Sequence, residues 1–200
     1  MNGLFSGLLL YEIVLLILGV FLFLILSIGL LYYIIKKEQI KKLLLFFVLP
    51  ILMIGYPSIQ EISISKDRIQ LTKYQEQFIQ NPQDSVARQK VKEYTDKLKD
   101  RASSAEDIVQ ISKSNFLLGN YKEAADLADK AVTKESTNEE AKNIRSLATL
   151  EKAVQEVPDV NTFKAQFDSI KKDLPITNDI QKLKPFLSQK AISRLQDMNK

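Results

Sequence analysis

The side chains that most often carry catalysis are missing from this chain, whose 200 residues include no Cys and no His. Without a thiol or an imidazole, the sequence excludes Ser-His-Asp and Cys-His catalysis, Cys/His zinc sites and disulfides. Carboxylate pairs such as Glu139-Glu140 and Asp126 with Asp129 remain. Acid–base catalysis would require such a pair in an apolar pocket, whereas these pairs lie on helix faces that the sequence predicts to be solvated. We therefore expect no enzyme activity, no metal and no cofactor.

Glu12 is the other acidic residue whose position is notable, because it lies near the start of a long apolar run. A carboxylate inside a membrane is a candidate for a proton or ion relay. Its position one turn from the start of the run favours an interfacial residue in contact with water. A relay would also need a polar partner, and the second apolar run offers only Tyr56 and Ser58 near its matching end.

Two uncharged runs must position Glu12, the first from Ile13 to Ile35. A helix of that length spans roughly 35 Å, which exceeds the hydrocarbon core of about 30 Å. The N-terminus lacks the cations and cleavage site of a signal peptide, so we expect a retained membrane helix over about 10–35. Pro50 interrupts the second run, 43–59, for which we expect a kinked crossing. A re-entrant or interfacial helix is the alternative for this second run.

The orientation of these helices follows from the lysines of the loop 36–42, which are Lys36, Lys37, Lys41 and Lys42. The positive-inside rule predicts that this loop is cytoplasmic and that both termini lie on the opposite side. For a bacterial protein, this predicts an inner-membrane protein with periplasmic termini. The net charge is +4, but cations and acids are mixed along the remaining chain. Because phosphate binding requires clustered cations, we expect no nucleic-acid partner.

Beyond residue 60 the apolar residues recur at helical spacing, and no strand-like alternation is present. The helix of the second run is expected to continue through Ile62, Ile64 and Ile69 until Asn81-Pro82 interrupts it. A helix is also predicted over 160–174, and a final one over 180–198 is either continuous or divided at Pro185. The predicted fold is all-α, with a transmembrane hairpin over 1–60. Connecting helices over 61–104 and a domain of α-helical hairpins over 105–200 follow.

The segment GNYKEAADLADKAV, residues 119–132, resembles the turn and second helix of a tetratricopeptide repeat. In that register Ile108 and Ile111 occupy the large apolar positions of the first helix. Small residues where the helices touch are Ser112, Ala124 and Ala131, and Tyr121 fills the gap above the turn. The sequence departs from the pattern at Asn115, Ala128 and Ser136. The resemblance covers about one and a half repeats, over roughly 105–150.

The resemblance implies a groove that binds an extended peptide or a partner helix. Its lining would be Glu106, Val109, Lys113, Phe116 and Leu117. Core packing is the alternative for Phe116 and Leu117. We therefore predict a membrane-anchored scaffold or accessory subunit of a membrane complex, whose partners are the lipid bilayer and other membrane or periplasmic proteins. The alternative is a subunit of an ion- or proton-coupled transport or motor complex that uses its membrane helices and Glu12.

Overall fold

The computed structural model describes residues 7–37, 41–156 and 184–198, and every regular element in those ranges is a helix. The α-helices are α1 Leu10–Ile35, α2 Lys41–Phe46, α3 Val48–Gln80, α4 Ser85–Leu98, α5 Ala105–Leu118, α6 Tyr121–Lys134, α7 Glu139–Glu156 and α8 Gln189–Met198. Short 3-10 helices cover Lys99–Arg101 and Lys184–Phe186. The chain divides into two compact units, Met1–Lys66 and Asp67–Lys200. The predicted helical class is thus confirmed, whereas the helix predicted over 160–174 lies outside the described residues.

Within the described residues, two helical stretches are long and apolar enough to cross a membrane. They are Leu10–Ile35, with 26 residues, and Leu43–Gln80, with 38 residues. Only 6% of the most apolar window of the first and 11% of the second is buried inside the protein. In a core helix of a soluble protein most apolar side chains are buried, whereas in these two stretches most are not.

The second apolar stretch is divided near Phe47 because of Pro50. Pro50 has no N–H to bond the carbonyl of Phe46, four residues earlier, and its ring clashes with that carbonyl. Accordingly α2 ends at Phe46, and a turn bond joins Phe47 N to Leu44 O at 3.1 Å. From Val48 the helix α3 then runs through Pro57 to Gln80. Its continuation beyond the second apolar run follows the helical spacing of Ile62, Ile64 and Ile69, as expected.

In the N-terminal unit, α1 and α3 make direct contact at Gly19. A Cβ atom built on Gly19 would lie 2.9 Å from Met53 Cβ and 3.0 Å from Ile54 Cγ1. Real side chains do not approach so closely, so only glycine fits at this crossing. Phe23 of α1 also meets Phe47, with ring centroids 5.5 Å apart in an edge-to-face arrangement.

In the C-terminal unit, α5 packs against α4, α6 and α7, and α6 packs against α7. The turn between α5 and α6 depends on Gly119, whose φ of 89° is in the left-handed region that other residues rarely adopt. Asp84 caps the start of α4 by accepting from Val86 N and Ala87 N at 2.9 Å. Local sequence signals therefore set where these helices begin and end.

Two polar contacts fix the last turns of α3 against α5. Arg68 donates to Asp107 Oδ2 at 2.8 Å. The buried amide of Gln75 donates from Nε2 to Gln110 O and to Ser114 Oγ, each at 2.8 Å. The bonded residues are 35 or 39 positions apart in sequence, so these bonds specify the helix pairing rather than the helices themselves.

Candidate functional site

The residues predicted to line a groove lie on α5, and the structure separates them by exposure. Val109, Phe116 and Leu117 are buried, with 1%, 0% and 4% of their surfaces exposed, whereas Glu106 is exposed. A groove-lining side chain must be accessible, and these three are not, because α4, α6 and α7 surround α5. Core packing therefore describes Phe116 and Leu117, and it also corrects the expectation for Val109.

Lys113, the remaining residue of that set, is engaged within the protein. Its Nζ lies 2.7 Å from Glu140 Oε1 on α7, and 22% of its side chain is exposed. This ion pair joins the first and third helices of the α5–α7 group. Glu106 and Lys113 are thus the members of the predicted set that keep accessible surface, and partner binding by these two stays a prediction.

A polar cleft of about 550 Å³ lies beside this set, between α4 and the turn that joins α5 to α6. Its lining residues are Ser85, Arg88, Gln89, Lys92, Thr95, Asp96, Lys99, Asn115, Leu118, Asn120 and Glu123. The α4 wall follows the helical repeat, since residues spaced by three or four lie on one face. The opposite wall comes from the end of α5 and the start of α6.

The charges of the cleft are unevenly paired. Lys99 lies 3.5 Å from Asp96 within the same wall. Arg88 and Lys92 form no ion pair with any residue that the structure describes. The α4 wall thus presents two cations that are available to an external carboxylate, next to hydrogen-bonding amides.

Asn115 shapes the floor of this cleft and explains one departure from the repeat pattern. Its Oδ1 accepts from Asn120 Nδ2 at 3.1 Å, and its backbone carbonyl accepts from Asn120 N at 2.8 Å. An aromatic residue or leucine at this position would lack both the side-chain bond and the polar surface. The sequence marked Asn115 as unusual, but only the turn geometry shows what the amide does.

Glu12 has a defined structural role in the N-terminal unit. Its Oε2 accepts from Leu9 N at 2.8 Å, and its Oε1 accepts from the Tyr11 hydroxyl at 3.4 Å. This is the position at which a glutamate satisfies a free amide at the start of a helix. The side chain is fully buried, so the expected contact with water is not present, and the carboxylate is bonded to its own helix start.

The structure describes the side chains of three of the four loop lysines from which the orientation is predicted. Lys36, Lys37 and Lys41 are exposed, and Lys37 makes the turn after α1 with a φ of 55°. Lys36 Nζ lies 5.5 Å from the centre of the Tyr32 ring. The side chain of Lys42 is outside the described set.

The described part of the chain contains no group of three or more His, Cys, Asp or Glu residues that could hold a metal ion. Compared with known proteins, the chain matches no family model, no curated protein and no solved structure.

Proposed function

We propose that this protein is a membrane-anchored helical scaffold or accessory subunit of a membrane protein complex and acts through protein–protein contacts. The observation that carries the proposal is the exposed apolar surface of the two long helical stretches. Leu10, Ile28 and Ile35, for example, are 79%, 69% and 80% exposed. Such helices are stable in lipid, where each backbone polar group is bonded within the helix and the side chains meet hydrocarbon.

The proposed orientation places the lysine loop in the cytoplasm and the C-terminal unit on the other side. The exposed Lys36, Lys37 and Lys41 support it, since cations beside membrane helices are retained on the cytoplasmic side. In a bacterium, the membrane would be the inner membrane and both termini would be periplasmic. The two membrane helices would then form a hairpin whose tip is the loop 36–42.

The region 105–150 is proposed to form tetratricopeptide-like hairpins. Its support comes from the small residues between α5 and α6, since Ala124, Ala128 and Ala131 are each 0% exposed. The Ser112 hydroxyl donates to Ala124 O at 2.6 Å, which requires close approach of the two helices. Short arrays of this kind present surfaces to other proteins and are stabilised by flanking helices.

The partner is proposed to bind in the polar cleft through acidic side chains. Arg88 offers a planar set of donors that suits a carboxylate, and Lys92 lies one helical turn away. Both cations are available because the described residues hold no acid paired to them. Electrostatic complementarity of this type sets which partner binds and how fast it associates.

The test combines Arg88→Glu with Lys92→Glu and measures which chains co-purify from membranes in mild detergent. We expect the double variant to lose most of a membrane or periplasmic partner that the wild type retains. A matched control is Lys130→Glu with Lys134→Glu, which makes the same charge change on exposed residues of α6 outside the cleft. Equal loss in both variants, or no loss in the first, would contradict the proposed site. If the wild type retains no partner, the scaffold role is contradicted.

A further inference from the structure

The C-terminal segment 184–191 is held by the side chains of three separate helices. Phe186 contacts Phe78 of α3, with ring centroids 5.2 Å apart and an interplanar angle of 63°. Phe78 is 4% exposed and Phe186 is half-buried, so the segment lies against a buried side chain of the C-terminal unit. The segment is therefore anchored by an aromatic side chain in an aromatic environment.

Tyr121, at the start of α6, supplies the second contact. Its hydroxyl donates to Phe186 O at 2.9 Å, and its ring lies 5.5 Å from that of Phe116. Burial, with a smaller effect of the nearby Glu151 carboxylate, raises the pKa of the Tyr121 hydroxyl above its ordinary value. The hydroxyl thus keeps the proton that it donates to the segment.

Glu151 of α7 supplies the third contact. It is fully buried, and its Oε1 accepts from Ser188 N. Ser188 in turn caps α8 by accepting from Ala191 N at 3.1 Å, so the carboxylate lies at the positive end of a helix. Oε2 of Glu151 has no hydrogen bond to any residue that the structure describes. A buried carboxylate with one unsatisfied oxygen is costly, so the site requires the amide that the segment brings.

The remaining contacts are apolar. Leu187 is 6% exposed and Ala191 is 0% exposed, and α8 packs against α7. The segment is thus recognised by side-chain anchors and by bonds to its main chain. Peptide-recognition sites bind their ligands by the same combination.

We propose that Phe78, Tyr121 and Glu151 form a peptide-recognition site that the chain's own segment fills in cis. The site accepts the same segment supplied in trans by a second copy of this chain. Its ligand is an aromatic residue, a leucine and a serine that begins a helix. Exchange is feasible because, among the residues that the structure describes, two hydrogen bonds and a few apolar anchors hold the segment, and elements with so few contacts open locally. The proposal goes beyond the scaffold role and does not depend on the polar cleft.

The test uses the full chain in detergent and a fluorescein-labelled peptide, KPFLSQKAISRLQDM, which is residues 184–198. Phe186→Ala in the chain weakens the internal segment and leaves the site intact. We expect this variant to bind the peptide about tenfold more tightly than the wild type does, because an internal ligand reduces the fraction of free sites. The exposed substitution Gln189→Ala is the matched control and should behave like the wild type. Fluorescence anisotropy measures the binding.

Two results would overturn the proposal. One is equal binding by the wild type and a folded Phe186→Ala chain. The other is undiminished binding of a peptide that itself carries Phe186→Ala.

A second measurement applies if Phe186→Ala does not fold. Tyr121→Phe removes only the hydroxyl, and we expect it to speed hydrogen exchange of the amides of residues 186–192. The expected increase is about fivefold, as for the loss of one hydrogen bond. Exchange in α5 and α7 should stay unchanged. A change that is equal in all these helices, or absent from the segment, would show that the segment is ordinary core.

Discussion

Three polar residues in this protein form hydrogen bonds at the ends of helices. Glu12 satisfies an amide at the start of α1, Asp84 does so for α4, and Asn115 closes the end of α5. Free amides and carbonyls at helix ends must find partners. Unusual residues at such positions are therefore better explained by the local backbone than by chemistry on a substrate.

Glu12→Gln separates this structural role from a relay. Glutamine also accepts at this helix position, so we expect the variant to insert into membranes and to retain its partners as the wild type does. A proton-coupled device would instead lose activity, since an amide cannot exchange the proton. Partner retention and growth under conditions that require the complex measure the difference. Loss of function with normal retention would favour the transport alternative.

The hydrogen bonds of Glu93 to two lysines make the stability of the protein depend on pH. Hydrogen bonds from Lys90 and Lys97 lower the pKa of this carboxyl from 4.5 to about 2. The contribution of the charged form to stability is complete above pH 4.5 and is lost as the pH falls through about 2. The advantage in melting temperature of the wild type over Glu93→Gln should therefore shrink from pH 5 to pH 2. Added salt should reduce it at every pH, since the side chains are partly exposed.

Helical elements were largely predictable, because the spacing of apolar residues reports burial of one face. α1 covers Leu10–Ile35, as the first run indicated, and α8 begins at Gln189, after the 3-10 helix that contains Pro185. The break after α2 was less predictable, since Pro50 indicates a disturbance but not whether the helix kinks or stops. The continuation of α3 past Pro57 was predicted from the isoleucines that follow, because they recur at helical spacing.

Contacts between different helices could not be predicted from the sequence. Gly19 meets Met53 and Ile54, and nothing in the spacing of either helix identifies that pair. The same holds for the cleft. Arg88 and Lys92 share a face of α4, but the wall opposite them comes from residues 115–123. Tertiary packing determines which residues of different helices meet, and the local spacing of apolar residues carries no information about it.

Gly19→Leu tests the contact between α1 and α3. Even a Cβ atom at this position would lie within 3.0 Å of the neighbouring helix, so the larger leucine must separate the two helices. We expect about 1–3 kcal/mol of destabilisation, as for other overpacked sites. The measure is the temperature at which the detergent-solubilised protein aggregates. Gly55→Leu is the matched control, because a Cβ there has open space, and an equal effect of the two changes would argue against the contact.

The whole chain separates its charges by region. Residues 60–200 carry 24 basic and 22 acidic side chains, whereas residues 1–59 hold four lysines and two acids. The four lysines all lie in one short segment between apolar runs. This distribution supports the proposed orientation of the chain in a membrane.

The absence of cysteine from the sequence allows a direct test of the proposed orientation. Ser136→Cys and Lys41→Cys each introduce one thiol at an exposed residue. With intact bacterial spheroplasts and a maleimide that does not cross membranes, we expect Ser136→Cys to be labelled. Lys41→Cys should react only after the membrane is permeabilised. The reverse result would overturn the orientation, and labelling of both without permeabilisation would exclude two crossings.

Because of Pro57, the second apolar stretch has a backbone carbonyl whose environment depends on the first stretch. Pro57 offers no N–H to the carbonyl of Met53, and Met53 is also the residue that contacts Gly19. A carbonyl released in this way is unfavourable against lipid tails but tolerable beside a neighbouring helix. During synthesis, the first stretch would then shelter the weakest point of the second as it leaves the translocon, and a chain lacking α1 should integrate its remaining stretch inefficiently.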